Sequence, residues 1–347
     1  MSYPRMSRKF NHLNRLSTSP DKILPFSPDK RYVIFSDQHK GDGSRADDFK
    51  KNAELYFSAL SYYEQEGYEL LVLGDSEELW ENDILSIFNN YSDIIRQEIQ
   101  LAPSTADGRK IRIWGNHDKE VSLKGFSQRL KDLKINLFDD VEFREAVSLG
   151  RNIFLVHGHQ GRFFEDKAWR ISRWAVHFIW KSIQKILNIG IDGPAENPYL
   201  RNQLEEDYYR WAKQNKRILI CGHTHRAMFA SLSHYHYLLR QQSLLLDQSQ
   251  QDKSFSSLFN KDKLAYLEKE IHRVLQKSQG LRPPSFESIP LPCYFNSGCC
   301  GYTNGITALE MQSEAIRLIK WEKDKQRRIL QEGNLQEFIY KIKTTRD

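Results

Sequence analysis

"IRIWGNHDKE", residues 111–120, starts as a strand and ends in four residues that no strand needs. Ile111, Ile113 and Trp114 alternate with Lys110 and Arg112, and then Gly115, Asn116, His117 and Asp118 follow with no apolar residue among them. Gly and Asn favour positive φ and Asp caps helices, so a single such ending reads as a turn. The alternative is a sheet that delivers side chains to a reaction centre at its carboxyl edge, where open α/β sheets place their ligand sites. Other strand ends decide between the two.

Four more apolar runs end the same way. "RYVIFSDQH" (31–39) leads into Asp37 and His39, and "YELLVLGDSEELW" (68–80) leads into Gly74 and Asp75. "RNIFLVHGHQG" (151–161) carries Ile153 to Val156 into His157 and His159, and "KRILICGHTHR" (216–226) carries Ile218 to Cys221 into His223 and His225. A lone His or Asp after a strand is ordinarily a core residue or a cap. Five in order, each on the same side of its strand, describe a site.

Asp, His and Asn together make a mixed oxygen and nitrogen ligand set, suited to Mn, Fe, Zn, Co or Ni and poorly suited to Ca. The candidates Asp37, His39, Asp75, Asn116, His157, His223 and His225 are too many for one tetrahedral zinc. Two metals about 3.5 to 4 Å apart and sharing a carboxylate would use them all. His117 is then free to protonate a leaving oxygen, with Asp118 placed to orient its imidazole.

The ordered set Asp37-x-His39, Gly74-Asp75, Gly115-Asn116-His117-Asp118, His157 and Gly222-His223-x-His225 resembles the calcineurin-like metallophosphoesterase superfamily. The resemblance covers roughly 30 to 230, and "YFNSGCCGYTNGITALEM" (294–311) is similar to that family's closing strands. It implies an α/β fold of four layers, α-β-β-α, with two mixed sheets and helices outside. It also implies one metal on Asp37, His39, Asp75 and His225, and a second on Asp75, Asn116, His157 and His223, with Asp75 shared. The implied reaction is phosphoester or pyrophosphate hydrolysis by direct attack of metal-bound hydroxide. A nearer likeness is to the UDP-2,3-diacylglucosamine pyrophosphatases, which place a helical lid after the fourth motif. The chain departs from them in having His117 where they have Arg, and His159 where they have Asp.

The 347 residues, 39% of them hydrophobic, can bury one large core or two modest ones, and one catalytic domain over 29–325 is expected. The cysteines, Cys221, Cys293, Cys299 and Cys300, show neither zinc spacing nor a disulfide framework, which points to a reducing compartment. No apolar run reaches eighteen residues and no h-region follows the basic start, so a cytoplasmic protein without a membrane span is expected.

Residues 1–28 read as a basic arm. The alternation of strands with helices at about 49–66 and 83–100 is the signature of an α/β core. Helical insertions are expected at about 162–212 and 233–285; in the second, Leu264, Leu267, Ile271, Val274 and Leu275 mark an amphipathic helix. Residues 326–347 read as a charged, helical tail. Glu77, Glu78 and Glu81 follow Asp75 closely, either to orient metal-bound groups or as solvated acids at a helix start.

The first insertion carries Arg170, Arg173, Trp174 and Trp180, beside Trp169 and Lys181. It reads either as a lid that offers cations to a polyanionic headgroup and an apolar wall to a tail, or as a helix packed on the core or on a second subunit. The first reading implies a phosphorylated small or amphiphilic substrate and is compatible with peripheral membrane contact. Net charge +6 and seven Trp would permit nucleic acid, but the basic residues form no recognisable nucleic-acid motif. Nuclease, protein phosphatase and cyclic-nucleotide phosphodiesterase remain open on the same metal pair. A non-catalytic scaffold on this fold would be expected to have lost ligands, and none is missing here.

Overall fold

The run Arg31–Phe35 splits its side chains between two cores: Tyr32 and Ile34 face one, Val33 and Phe35 the other. Period-two alternation with both faces apolar is what a strand covered on both sides requires. The same split recurs at 70–73, where Leu71 and Leu73 join the first core and Leu70 and Val72 the second.

The computed structural model describes residues 8–19, 23–27, 29–160, 198–251, 258–277, 283 and 285–345. In chain order these form α1 (Arg8–Ser17), β1 (Ile23–Leu24), β2 (Arg31–Phe35), α2 (Ala53–Gln65), β3 (Glu69–Val72), α3 (Ile84–Leu101), β4 (Lys110–Ile113), α4 (Lys124–Asp132), β5 (Val141–Arg144), β6 (Ala146–Leu149) and β7 (Ile153–Val156). There follow α5 (Pro198–Gln214), β8 (Ile218–Cys221), β9 (Met228–Phe229), β10 (Leu232–Ser233), α6 (His234–Gln251), α7 (Leu258–Lys277), β11 (Tyr294–Asn296), β12 (Ile306–Gln312), β13 (Ala315–Trp321), β14 (Arg327–Asn334) and α8 (Leu335–Thr344).

One sheet has the order β1-β6-β7-β8-β11-β9-β10 and the other β14-β13-β12-β2-β3, both with parallel and antiparallel pairs. The bridge from Leu73 to Ile113 carries the second sheet on to β4 and β5. The first core lies between the sheets and continues under α1, α5 and α8 through Leu13, Leu204, Trp211 and Ile342. The second lies between the other sheet and α2, α3 and α4, through Tyr56, Leu60, Ile87, Ile95 and Phe126. Helices, sheet, sheet and helices are the four layers expected of this α/β fold.

Two segments differ from their reading in the sequence, and a third adds to it. Residues 8–17 are a helix with Phe10, Leu13 and Leu16 buried on the sheet, because three apolar residues at helical spacing outweigh the basic composition around them. The charged tail is helical only from Leu335; before it, β14 pairs antiparallel with β13. Its charges suit an edge strand, and Arg327 reaches across to the buried Glu310 at 2.7 Å. Around 233–285, the amphipathic helix read from the sequence is α7, and it packs Leu267 and Ile271 against Tyr235, Leu238 and Leu245 of α6. The Gln- and Ser-rich α6 carried no clear periodic signal of its own. All four cysteines are free and buried. Among the described residues no helix is long and apolar enough to cross a membrane.

Candidate metal centre

β2, β3, β4, β7 and β8 all point their carboxyl ends at one place. The turns after β2 and β3 run side by side: Asp37 N donates to Gly74 O at 3.1 Å and His39 N to Asp75 O at 2.9 Å. Asp37, His39, Asp75, His223 and His225 all have left-handed φ, between 51° and 65°. Such conformations are costly for residues with a Cβ and persist where the surroundings over-determine them. Two glycines allow the turns to meet. A Cβ at Gly74 would lie 2.6 Å from Gly115 N and 2.7 Å from His157 Nδ1, and one at Gly222 would lie 2.5 Å from Asp37 Oδ2.

The side chains converge on two adjoining points. Asp37, His39 and His225 place ligand atoms within 4.8 Å of one another, and so do Asp75, His157 and His223. In the first group His225 Nε2 is 3.2 Å from both His39 Nε2 and Asp37 Oδ1. His39 Nε2 is also 3.8 Å from Asp75 Oδ2, which ties the groups together. In the second, His157 Nε2 is 3.0 Å from Asp75 Oδ2, outside hydrogen-bond alignment, while its Nδ1 is 2.8 Å from Leu73 O. His157 Nε2 and Asn116 Oδ1 are both buried with no hydrogen-bond partner. Buried polar atoms are nearly always satisfied, so two such orphans, one of them 3.0 Å from the Asp75 carboxylate, fit a divalent cation.

The electrostatics agree. Burial pushes Asp75 up, but His157, His117 and His39 outweigh it and hold its carboxyl well below the usual range. Burial pushes His157 down, and Asp75 and Asp37 reverse this and raise the ring to about 9. A field that holds protons so firmly would hold a cation at the same place.

His117 lies beside these groups, its ring nitrogen joining His39 and Asp75 in a third set within 4.8 Å. Its partner is not Asp118. That carboxylate turns under the loop, accepts from Gly115 N and from Ser76 N (2.8 Å), and so holds the turns after β3 and β4 together. Glu78 takes the orienting role: its carboxylate lies 2.8 Å from His117 Nδ1 and 2.7 Å from His39 Nδ1. One group thus fixes the direction of both rings. Burial lowers His117, but Glu78 and Asp75 raise it to about 10 and keep it protonated, while Glu78 itself is held at about 2 by His117 and His39 against its burial. The Trp80 indole stacks on His117 at 4.0 Å and 21°.

A family model for calcineurin-like phosphoesterases matches residues 30–227. The chain belongs to that family. No curated protein matches it. As a calcineurin-like phosphoesterase it is a metal-dependent hydrolase of phosphoester bonds, and the two convergent groups are its candidate ligand clusters.

What the sequence left unseen in this phosphoesterase lies below the ligand turns. Lys40, Glu77, Glu98 and Arg112 are buried together, although charge at these positions reads as solvated. Lys40 Nζ meets Glu98 Oε1 at 2.9 Å, Arg112 Nη2 meets Glu77 Oε1 at 2.9 Å, and both cations bond Ser76 Oγ at 2.6 Å. Glu77 is therefore part of this buried lattice, neither an exposed acid nor a close partner of the ligands. His159 is fully buried between Trp114 and His157, and neither ring nitrogen has a hydrogen-bond partner among the described residues. Arg170, Arg173, Trp174 and Trp180 lie outside the described residues.

Proposed function

We infer that this phosphoesterase works with two divalent cations, one held by Asp37, His39, Asp75 and His225 and the other by Asp75, Asn116, His157 and His223. The observation that carries this reading is the approach of two carboxylates and four imidazoles from four strand ends, with Asn116 Oδ1 at the end of a fifth and His157 Nε2 both left unsatisfied. The oxygen and nitrogen donors suit Mn, Fe or Zn. Such ions would supply Lewis acidity toward a phosphoryl oxygen and toward a water molecule.

The protein's own part is orientation and proton supply. Glu78 accepts from His117 Nδ1, which leaves Nε2–H free to give its proton to the departing oxygen. Trp80 closes one side of the imidazole. Asp118 acts on the backbone below, accepting from Ser76 N and Gly115 N.

For substrate, the tryptophan- and arginine-rich stretch from Trp169 to Lys181 favours an amphiphilic phosphoester or pyrophosphate, in keeping with the likeness to the diacylglucosamine pyrophosphatases. The test is a hydrolysis screen with added Mn over monoesters, diesters, nucleoside-diphosphate lipids and nucleic acid, alongside elemental analysis. About two metals per chain are expected, and Asp75→Ala should lose both metal and turnover while remaining folded. A wild type that stays metal-free and inactive after Mn or Fe supplementation would favour a scaffold.

A further inference from the structure

Three of the histidines around Asp37 and Asp75 are not oriented alike. His39 has its Nδ1 on Glu78 and His157 has its Nδ1 on Leu73 O. Metal-ligating imidazoles almost always have such an outer partner, because it fixes both the tautomer and the ring plane. His225 has no hydrogen bond at Nδ1 among the described residues, and it is the most exposed of the three, at 29% of its side chain against 18% and 0%. The direction of its ring depends on the backbone that carries it.

That backbone is under strain and is held by side chains on either side of it. His223 and His225 both have left-handed φ, 65° and 56°. The residues on either side of His225 reach the same carboxylate: Thr224 Oγ1 donates to Glu205 Oε1 at 3.0 Å and Arg226 Nη1 donates to Glu205 Oε2 at 2.8 Å. Arg226 Nη1 also donates to Asn202 Oδ1, one turn earlier on α5, at 2.9 Å. From the opposite side Asn296 Nδ2 donates to Gly222 O at 2.6 Å and to Thr224 Oγ1 at 3.2 Å. Thr224 thus uses its hydroxyl as both donor and acceptor, and the turn is gripped between α5 and the end of β11.

We propose that Glu205 is a positioning residue for the metal pair, holding the 222–226 turn so that His225 meets Asp37 and His39. It does for His225, through the backbone, what a ring hydrogen bond does for His39 and His157. A stabilising role alone is a poor account of it. Glu205 is fully buried on a helix whose neighbouring Leu204, Tyr208 and Tyr209 belong to the core, and a buried ion pair is often no more stabilising than a hydrophobic residue of similar volume. Burial even lifts its carboxyl to about 6, against Arg226 and Thr224. What a leucine could not supply is two acceptors set for Thr224 and Arg226.

This proposal rests on the two-cation reading, and the experiment separates the two. Mn binding to the full chain is titrated by calorimetry and by electron paramagnetic resonance, for the wild type, Glu205→Leu, Glu205→Gln and His225→Ala, with thermal midpoints recorded. In the wild type two Mn steps are expected, and fewer than two would break the two-cation reading before Glu205 is considered. His225→Ala identifies the step that depends on His225. Glu205→Leu should weaken that same step by about 10- to 100-fold and leave the other within about threefold, with a thermal midpoint near that of the wild type. Glu205→Gln, which keeps an acceptor for Thr224, should show a smaller loss at the same step. The proposal is overturned if folded Glu205→Leu binds both Mn as the wild type does, or weakens the two steps alike. It is equally overturned if both variants fail to fold, since Glu205 would then serve the fold.

Discussion

Two parts of the ligand scaffold face each other across the centre, and they are held in opposite ways. The turns after β3 and β4 stand on the buried lattice of Lys40, Glu77, Glu98 and Arg112, joined at Ser76 and closed by Asp118 on two backbone amides. The turn after β8 has no such charged lattice beneath it among the described residues: Glu205 on α5 holds Thr224 and Arg226, Asn296 holds Gly222 O and Thr224, and Asp37 accepts from His223 N. In the lattice each charge has at least two partners, so the arrangement is rigid and one deletion strands several groups. At Glu205 the hold is narrow, and its loss should be felt at one ligand. The difference teaches that a site can be rigid on the side where His117 is aimed, and more lightly tethered elsewhere.

The largest effect expected on the rigid side concerns the group it aims. His117→Gln should lower turnover of an alkyl phosphoester by about 10² to 10⁴, and by much less for a nitrophenyl ester, whose leaving group needs no proton. Steady-state kinetics on the two esters measures this; equal losses would mean that His117 acts on the metals rather than on the leaving oxygen.

Next comes the lattice itself. Glu98→Ala leaves Lys40 and Arg112 buried with Glu77 as the one remaining carboxylate among them, so it should cost about 3 to 5 kcal/mol of stability in urea unfolding. A loss below about 1 kcal/mol would make the lattice no stiffer than a surface ion pair, and the contrast with Glu205 would vanish.

The smallest effect is a pH dependence at the lightly tethered side. Burial raises the Glu205 carboxyl from 4.5 to about 6, so the folded chain holds this proton more tightly than the unfolded chain. Its stabilising contribution is complete below about pH 4.5 and is lost as pH rises through about 6. Between those limits and neutrality, the stability difference should move in favour of Glu205→Leu by up to about 2 kcal/mol. Urea midpoints at pH 4.5 and 7 test the sign, and a shift in favour of the wild type would show that Arg226 outweighs burial.

The candidate ligands that the structure brings together were legible because each stands within a few residues of an apolar strand, so local spacing carried the information. The four-layer fold was legible through the same motifs. Asp118 was misread as the orienting partner of His117 because adjacency in sequence was taken for adjacency in space: the turn sends Asp118 beneath the backbone and brings up Glu78 from another strand end. Glu205 gave no signal at all, since it is one acid among several on α5 and its partners lie some twenty residues later. Lys40, Glu98 and Arg112 were hidden for a related reason. Charge in a sequence reads as surface, and only the packing of α3 against β3 and β4 makes these residues an interior lattice.

The two sheets share the ligands in a way that matters for unfolding. Asp37, His39, Asp75 and Asn116 follow strands of one sheet or its extension, and His157, His223 and His225 follow strands of the other. Both proposed ligand sets therefore draw on both layers. An ion seated in either would rivet one layer to the other, and peeling either sheet away would mean letting go of it. Heat, denaturant and chelator would then act on one event, with the midpoint of unfolding rising with free metal by mass action.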